Sequence, residues 1–168
     1  TGACLADGGH DVTIVDVNDT KIDMIPAGVR PIVEFGLSEL VQANVARGRL
    51  RGTKDLPSAV QQSDVMIVCV GTPTGPNGDV SLKDVSTVAA QIGDGLRDDD
   101  TWRSILVTST VPPGTVEGVL IPIIEEQSGR KCGTDFGVAF SPEFLREGSA
   151  VTDFKNPSKS VVGATDEM

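Results

Sequence analysis

Val65-Met66-Ile67-Val68-Cys69-Val70, followed at once by Gly71-Thr72-Pro73-Thr74-Gly75-Pro76-Asn77-Gly78, decides the fold class of this chain. Six consecutive apolar residues without alternation fit a central strand of a parallel sheet, covered on both faces. The eight residues after it are almost all turn formers and read as a loop. Downstream, Val85, Val88, Ala89, Ile92 and Leu96 keep helical spacing up to the acidic loop Asp98-Asp99-Asp100. Next come a strand over 104–108, a helix over 115–126, a strand over 136–140 and a last strand near 160–163. Upstream, Asp11-Val12-Thr13-Ile14-Val15-Asp16 is a strand ending in an acid, and a short helix follows over 20–27 with Asp19 or Thr20 as N-cap. Residues 31–36 are irregular. Leu37, Leu40, Val41, Val45 and Ala46 mark a helix up to Gly48, and residues 50–53 and 57–62 give a short strand and a brief helix. Strands alternating with helices define an α/β chain with a doubly wound, mainly parallel sheet. Residues 1–168 read as one domain.

Composition narrows the function classes. The net charge of −10 leaves no basic stripe for a phosphate backbone, and 4% aromatics leave no base-stacking platform, so nucleic acid is not an expected partner. No apolar run reaches membrane-spanning length, and no membrane partner is expected. Cys4, Cys69 and Cys132 are far apart and His10 is the sole histidine, so no metal is expected. Within its apolar run Cys69 is expected to be a small buried hydrophobe, and the set fits a reducing, cytoplasmic compartment.

Two turns carry the chemistry. Ser109-Thr110-Val111-Pro112-Pro113-Gly114-Thr115 ends one strand with hydroxyls. Ser141-Pro142-Glu143-Phe144-Leu145-Arg146-Glu147-Gly148 follows another with two carboxylates and a guanidinium. In a parallel sheet both emerge at the carboxyl edge, where such folds bind ligands. If Glu143 and Glu147 stood on a helix they would share a face and repel, with Arg146 to relieve them.

Gly9-His10 through Asp16 resembles the second strand of a Rossmann unit, whose terminal acid takes the adenosine ribose hydroxyls. The expected glycine turn is absent, and Thr1 to Gly8 read as the helix that follows it. The first strand and that turn are therefore expected upstream of Thr1. From end to end the chain then resembles the amino-terminal domain of the UDP-glucose/GDP-mannose 6-dehydrogenase family. The matching blocks run in order: Lys21-Ile22, Pro31-Ile32-Val33-Glu34 with Gly36-Leu37, Val70-Gly71-Thr72-Pro73, Ser109-Thr110-Val111-Pro112, Pro142-Glu143-Phe144-Leu145-Arg146-Glu147, and Asp153-Phe154.

The resemblance implies NAD as cofactor, held by Asp16 and Lys21 at the ribose and lined by Val70, Gly71, Thr72, Pro73 and Thr74. It sets Ser109, Thr110 and Val111 near the nicotinamide, with Thr110 also holding a catalytic water. Glu143 becomes the acid/base residue, and Glu147 meets both cofactor and sugar nucleotide. The sugar-nucleotide contacts run through Glu143, Phe144, Leu145, Arg146 and Glu147. The implied reaction is a double oxidation at the sugar C6 through a cysteine-bound thioester. That cysteine matches none of the three here and is expected in a later domain. A homo-oligomer is implied for the full-length enzyme, which would serve polysaccharide synthesis.

Ser128-Gly129-Arg130-Lys131, Asp135-Phe136-Gly137-Val138 and Val119-Leu120-Ile121-Pro122 resemble the GDP-mannose branch. Glu147-Gly148-Ser149-Ala150 and Asn156-Pro157 resemble the UDP-sugar branch. The balance leans to GDP-mannose. The competing readings are a hydroxyacid dehydrogenase of the 6-phosphogluconate type and a non-catalytic nucleotide-binding module.

Overall fold

In chain order the computed structural model forms α1 (Gly2–Asp7), β1 (Val12–Val15), α2 (Asp19–Met24), α3 (Leu37–Ala46), β2 (Leu50–Thr53), α4 (Leu56–Gln61) and β3 (Val65–Val68). It continues with α5 (Lys83–Leu96), β4 (Arg103–Val107), a π-helical turn (Val116–Leu120), α6 (Ile121–Ser128), β5 (Phe136–Phe140), α7 (Ala150–Lys155) and β6 (Gly163–Ala164). It describes residues 1–75, 78–98 and 100–164, so Pro76, Asn77 and Asp99 of the two expected loops lie outside the described residues. Two compact units result: Thr1–Asp55 with Phe144–Lys159, and Leu56–Glu143 with the described part of Ser160–Met168.

In the first unit β1 and β2 pair in parallel, Val12 opposite Leu50 and Val15 opposite Thr53. Ala3, Ala6, Ile25, Val41 and Leu50 form its core. The cap of α2 is Asn18, not Asp19 or Thr20. Its side chain accepts the Lys21 N–H at 3.2 Å, and Asp19 enters the first turn. An acid there complements the helix dipole. Asp19 also pairs with Lys54, which raises the lysine pKa above its ordinary value.

In the second unit the order is β3-β4-β5-β6, with β6 antiparallel to β5 and the other pairs parallel. Met66, Ile105 and Val138 are aligned across three strands, and α5 and α6 supply Val85, Ala89, Ile92, Leu96 and Ile124 to the same core. Gly93 allows α5 this close to α6, since a Cβ there would come 2.6 Å from Gln127 Cβ and 3.0 Å from the Ile124 carbonyl oxygen. Arg103 opens β4, and its buried guanidinium donates 2.5 Å bonds to the Gln61 carbonyl at the end of α4 and to the Ser63 carbonyl just past it. A cation there answers the exposed carbonyls of a helix end.

Three expectations change. β3 stops at Val68, short of the expected Val70, and its first residue Val65 is 55% exposed rather than covered. Cys69, beyond the strand end, is exposed and not a core hydrophobe. The helix expected over 115–126 starts as a π turn, in which the Ile121 N–H reaches back to the Val116 carbonyl. Pro122 explains it. Having no N–H, proline cannot serve the Gly118 carbonyl, and its ring crowds that oxygen, so the ladder widens by one residue.

Candidate active site

Ser109 ties two strand ends together. Its hydroxyl is buried and donates to the Val70 carbonyl at 2.8 Å. The Val68 carbonyl accepts the backbone N–H groups of Thr108 and Ser109 at 2.8 and 3.2 Å. The Thr72 hydroxyl adds a cross-link, donating to the Thr110 carbonyl at 2.7 Å. Past β3, Thr74 is bridged antiparallel to Val80. A cleft of about 270 Å³ opens here, lined by residues 69–72 from the β3 turn, 108–110 from the β4 turn, and Glu143 after β5. The structure thus brings Val70, Gly71, Thr72, Ser109, Thr110 and Glu143 to one cleft. Pro73, Thr74 and Val111 are outside its lining. Ser109 spends its single hydroxyl proton on Val70, and Thr110 in the same lining is exposed.

Phe144 to Glu147 belong to the first unit, as does Asp16. Residues 141–146 take no regular structure, so Glu143 and Glu147 do not share a helical face. Pro142 holds Ser141 to an extended conformation, which starts no helix. Arg146 is committed elsewhere: its Nη2 and Nε donate to Asp153 at 2.8 and 3.0 Å, and its backbone N–H at 3.1 Å. The Arg146 guanidinium and N–H, with the Ser149 hydroxyl, hold the Asp153 carboxyl far below the usual carboxylate range. Phe144 has Lys159 Nζ 4.3 Å from its ring centre, within cation–π reach.

At the end of β1, Asp16 Oδ1 accepts the Asn18 N–H at 2.9 Å, while Oδ2 has only a 3.4 Å contact with Lys21 Nζ. The carboxylate keeps lone pairs open to solvent, the acceptor set that vicinal ribose hydroxyls require. At Gly71 a Cβ would meet no protein atom within 4 Å, so the glycine leaves cleft space open rather than serving packing. Both features fit a dinucleotide. Among the described residues, no group of three or more His, Cys, Asp or Glu could hold a metal, and no helix is long and apolar enough to cross a membrane.

Glu34 and Asp153 were not expected as functional residues. Both accept backbone N–H groups within residues 146–148. The signal available for Glu34 was an acid enclosed by Ile32-Val33 and Phe35, a setting that demands partners once buried.

A parallel α/β chain with a solvent-reachable acid at one strand end and a polar cleft at others has the make-up of a dinucleotide-binding domain. Residues 1–168 match the sequence profile of the NAD binding domain of the UDP-glucose/GDP-mannose dehydrogenase family, and the chain belongs to that family. It is 52% identical to GDP-mannose 6-dehydrogenase of Pseudomonas putida over 163 residues, covering 97% of this chain and 37% of that protein. Over 165 residues it is 40% identical to the Bacillus subtilis UDP-glucose 6-dehydrogenase TuaD, covering 98% of this chain and 34% of that one. The crystal structure of a ternary complex of GDP-mannose dehydrogenase from Pseudomonas aeruginosa superposes with a TM-score of 0.96 at 48% identity, covering 98% of this chain and 38% of that one. The chain therefore spans little more than a third of the length of these relatives.

Proposed function

We propose that this chain is the NAD-binding domain of a longer nucleotide-sugar 6-dehydrogenase that oxidises GDP-mannose to the uronic acid. The observation that carries the reading is the cleft shared by Thr110 and Glu143. The higher identity to GDP-mannose than to UDP-glucose enzymes, 52% against 40%, supports the substrate. Bound NAD supplies the hydride acceptor for each of the two oxidations. Asp16 accepts the ribose hydroxyls with Lys21 beside it, and Val70 to Thr74 with Ser109 to Val111 shape the cofactor groove. Thr110 orients a water, and Glu143 takes its proton as that water attacks the thioester carbon. The carboxylate product leaves with the water oxygen, and the thiolate is regenerated. Phe144 to Glu147 complete the sugar-nucleotide contacts. The cysteine lies in a later domain of a homo-oligomeric enzyme. Its thiols point to the cytoplasm as its compartment.

Purified full-length enzyme should form NADH faster with GDP-mannose than with UDP-glucose, whereas the present chain alone should turn over neither. A higher kcat/KM for UDP-glucose moves the assignment to the other branch. Turnover by the chain alone, surviving replacement of Cys4, Cys69 and Cys132, removes the later domain from the reading.

Cofactor choice follows from Asp16. Its carboxylate accepts ribose hydroxyls and repels a 2′-phosphate, with Lys21 softening the repulsion, so kcat/KM should favour NAD over NADP at least about tenfold. Asp16→Asn should narrow that ratio. Equal values for both cofactors in the unaltered enzyme would take Asp16 out of this role.

A further inference from the structure

We propose that Glu34 is a positioning residue that sets the aim of Glu147; the inference rests on the reading of Glu147 as a cofactor and substrate contact. Residues 146–149 form a turn closed by the Ser149 N–H donating to the Arg146 carbonyl at 3.2 Å, with Gly148 at φ +80°. A glycine at that φ in the third position marks a type II turn. The turn itself does not use the N–H of its central peptide, the one between Glu147 and Gly148. In a type I turn that peptide is flipped and its N–H points the other way.

Here the Gly148 N–H donates to Glu34 Oε2 at 2.9 Å, across 114 residues of sequence. Glu34 is only 7% exposed, its Oε1 accepts the Phe35 N–H at 3.2 Å, and Arg30 Nη1 holds its carbonyl at 3.1 Å. A carboxylate so covered needs its donors, and a flip of the Glu147–Gly148 peptide would remove one. On the other side the Arg146 N–H donates to Asp153 Oδ2 at 3.1 Å. Carboxylates thus hold the backbone on both sides of Glu147 while its own side chain stays exposed. A fixed backbone beneath an exposed acid presents that acid to a ligand.

The test is a double-mutant cycle in the full-length enzyme, reading kcat/KM with GDP-mannose and the NAD dissociation constant by calorimetry. Glu34→Ala should lower kcat/KM about tenfold and weaken NAD when Glu147 is present, yet cost less than about twofold in a Glu147→Gln background. Should Glu34→Ala fail to fold, Glu34→Gln keeps the volume and carries the same cycle. Equal losses in both backgrounds, or a lowered Tm with kcat/KM unchanged, overturn the proposal and leave Glu34 a structural residue only. If the unaltered enzyme binds NAD but oxidises neither GDP-mannose nor UDP-glucose, the functional reading fails, and the NAD arm of the cycle still decides for or against Glu34. If it binds no NAD either, both fall.

Discussion

Glu143→Gln in the full-length enzyme should slow thioester hydrolysis by about 10²–10⁴-fold, the usual cost of losing a positioned general base. Glutamine keeps the shape of the side chain but takes no proton from water. The first oxidation draws less on this carboxylate and should fall less. The enzyme should therefore accumulate as a covalent acyl adduct, seen by intact-protein mass spectrometry after mixing with substrate and NAD. Glu143 and Thr110 line one cleft. Thr110→Ala should weaken the same step less, since it removes an orienting hydroxyl without changing charge. Undiminished steady-state turnover with no adduct would reduce Glu143 to a solvated acid, and the mechanism would need another base.

Phe136→Ala should be the most damaging change to the scaffold. Phe136 opens β5, is wholly buried, and belongs to the core that seats the β3 and β4 turns. Removing a buried ring costs about 3–5 kcal/mol in lost transfer energy and residual cavity, a fall in Tm on the order of 10 °C for a domain of this size. Calorimetric melting of the full-length enzyme measures it. Val162→Ala, at an exposed site, should leave Tm within about 2 °C. A Phe136→Ala variant melting like the unaltered enzyme would show that β5 contributes little to the core.

Much of the cleft lining was legible in the chain. Val70 to Thr72, Ser109, Thr110 and Glu143 stand where a parallel strand passes into a turn, and such turns announce themselves through glycine, proline and hydroxyl residues. Other features were not legible. That the Ser109 hydroxyl donates to the Val70 carbonyl is not readable from its turn. Arg146 reads as a neighbour for two glutamates until Asp153 is seen to take the Nε–Nη2 edge of its guanidinium.

By itself the sequence determined the order of strands and helices as far as β5, and the turns between them, because apolar periodicity and turn chemistry act over a few residues; α7 was not read from it. Val12 to Val15, Lys83 to Leu96 and Phe136 to Phe140 needed nothing more. Tertiary structure alone decided that β3 ends at Val68, that Cys69 is exposed, and that Glu34 is buried against Gly148. Those outcomes depend on which distant segment covers a residue. An apolar run reads the same whether one or both of its faces are covered, and an acid does not reveal locally which amide, 114 residues on, will satisfy it.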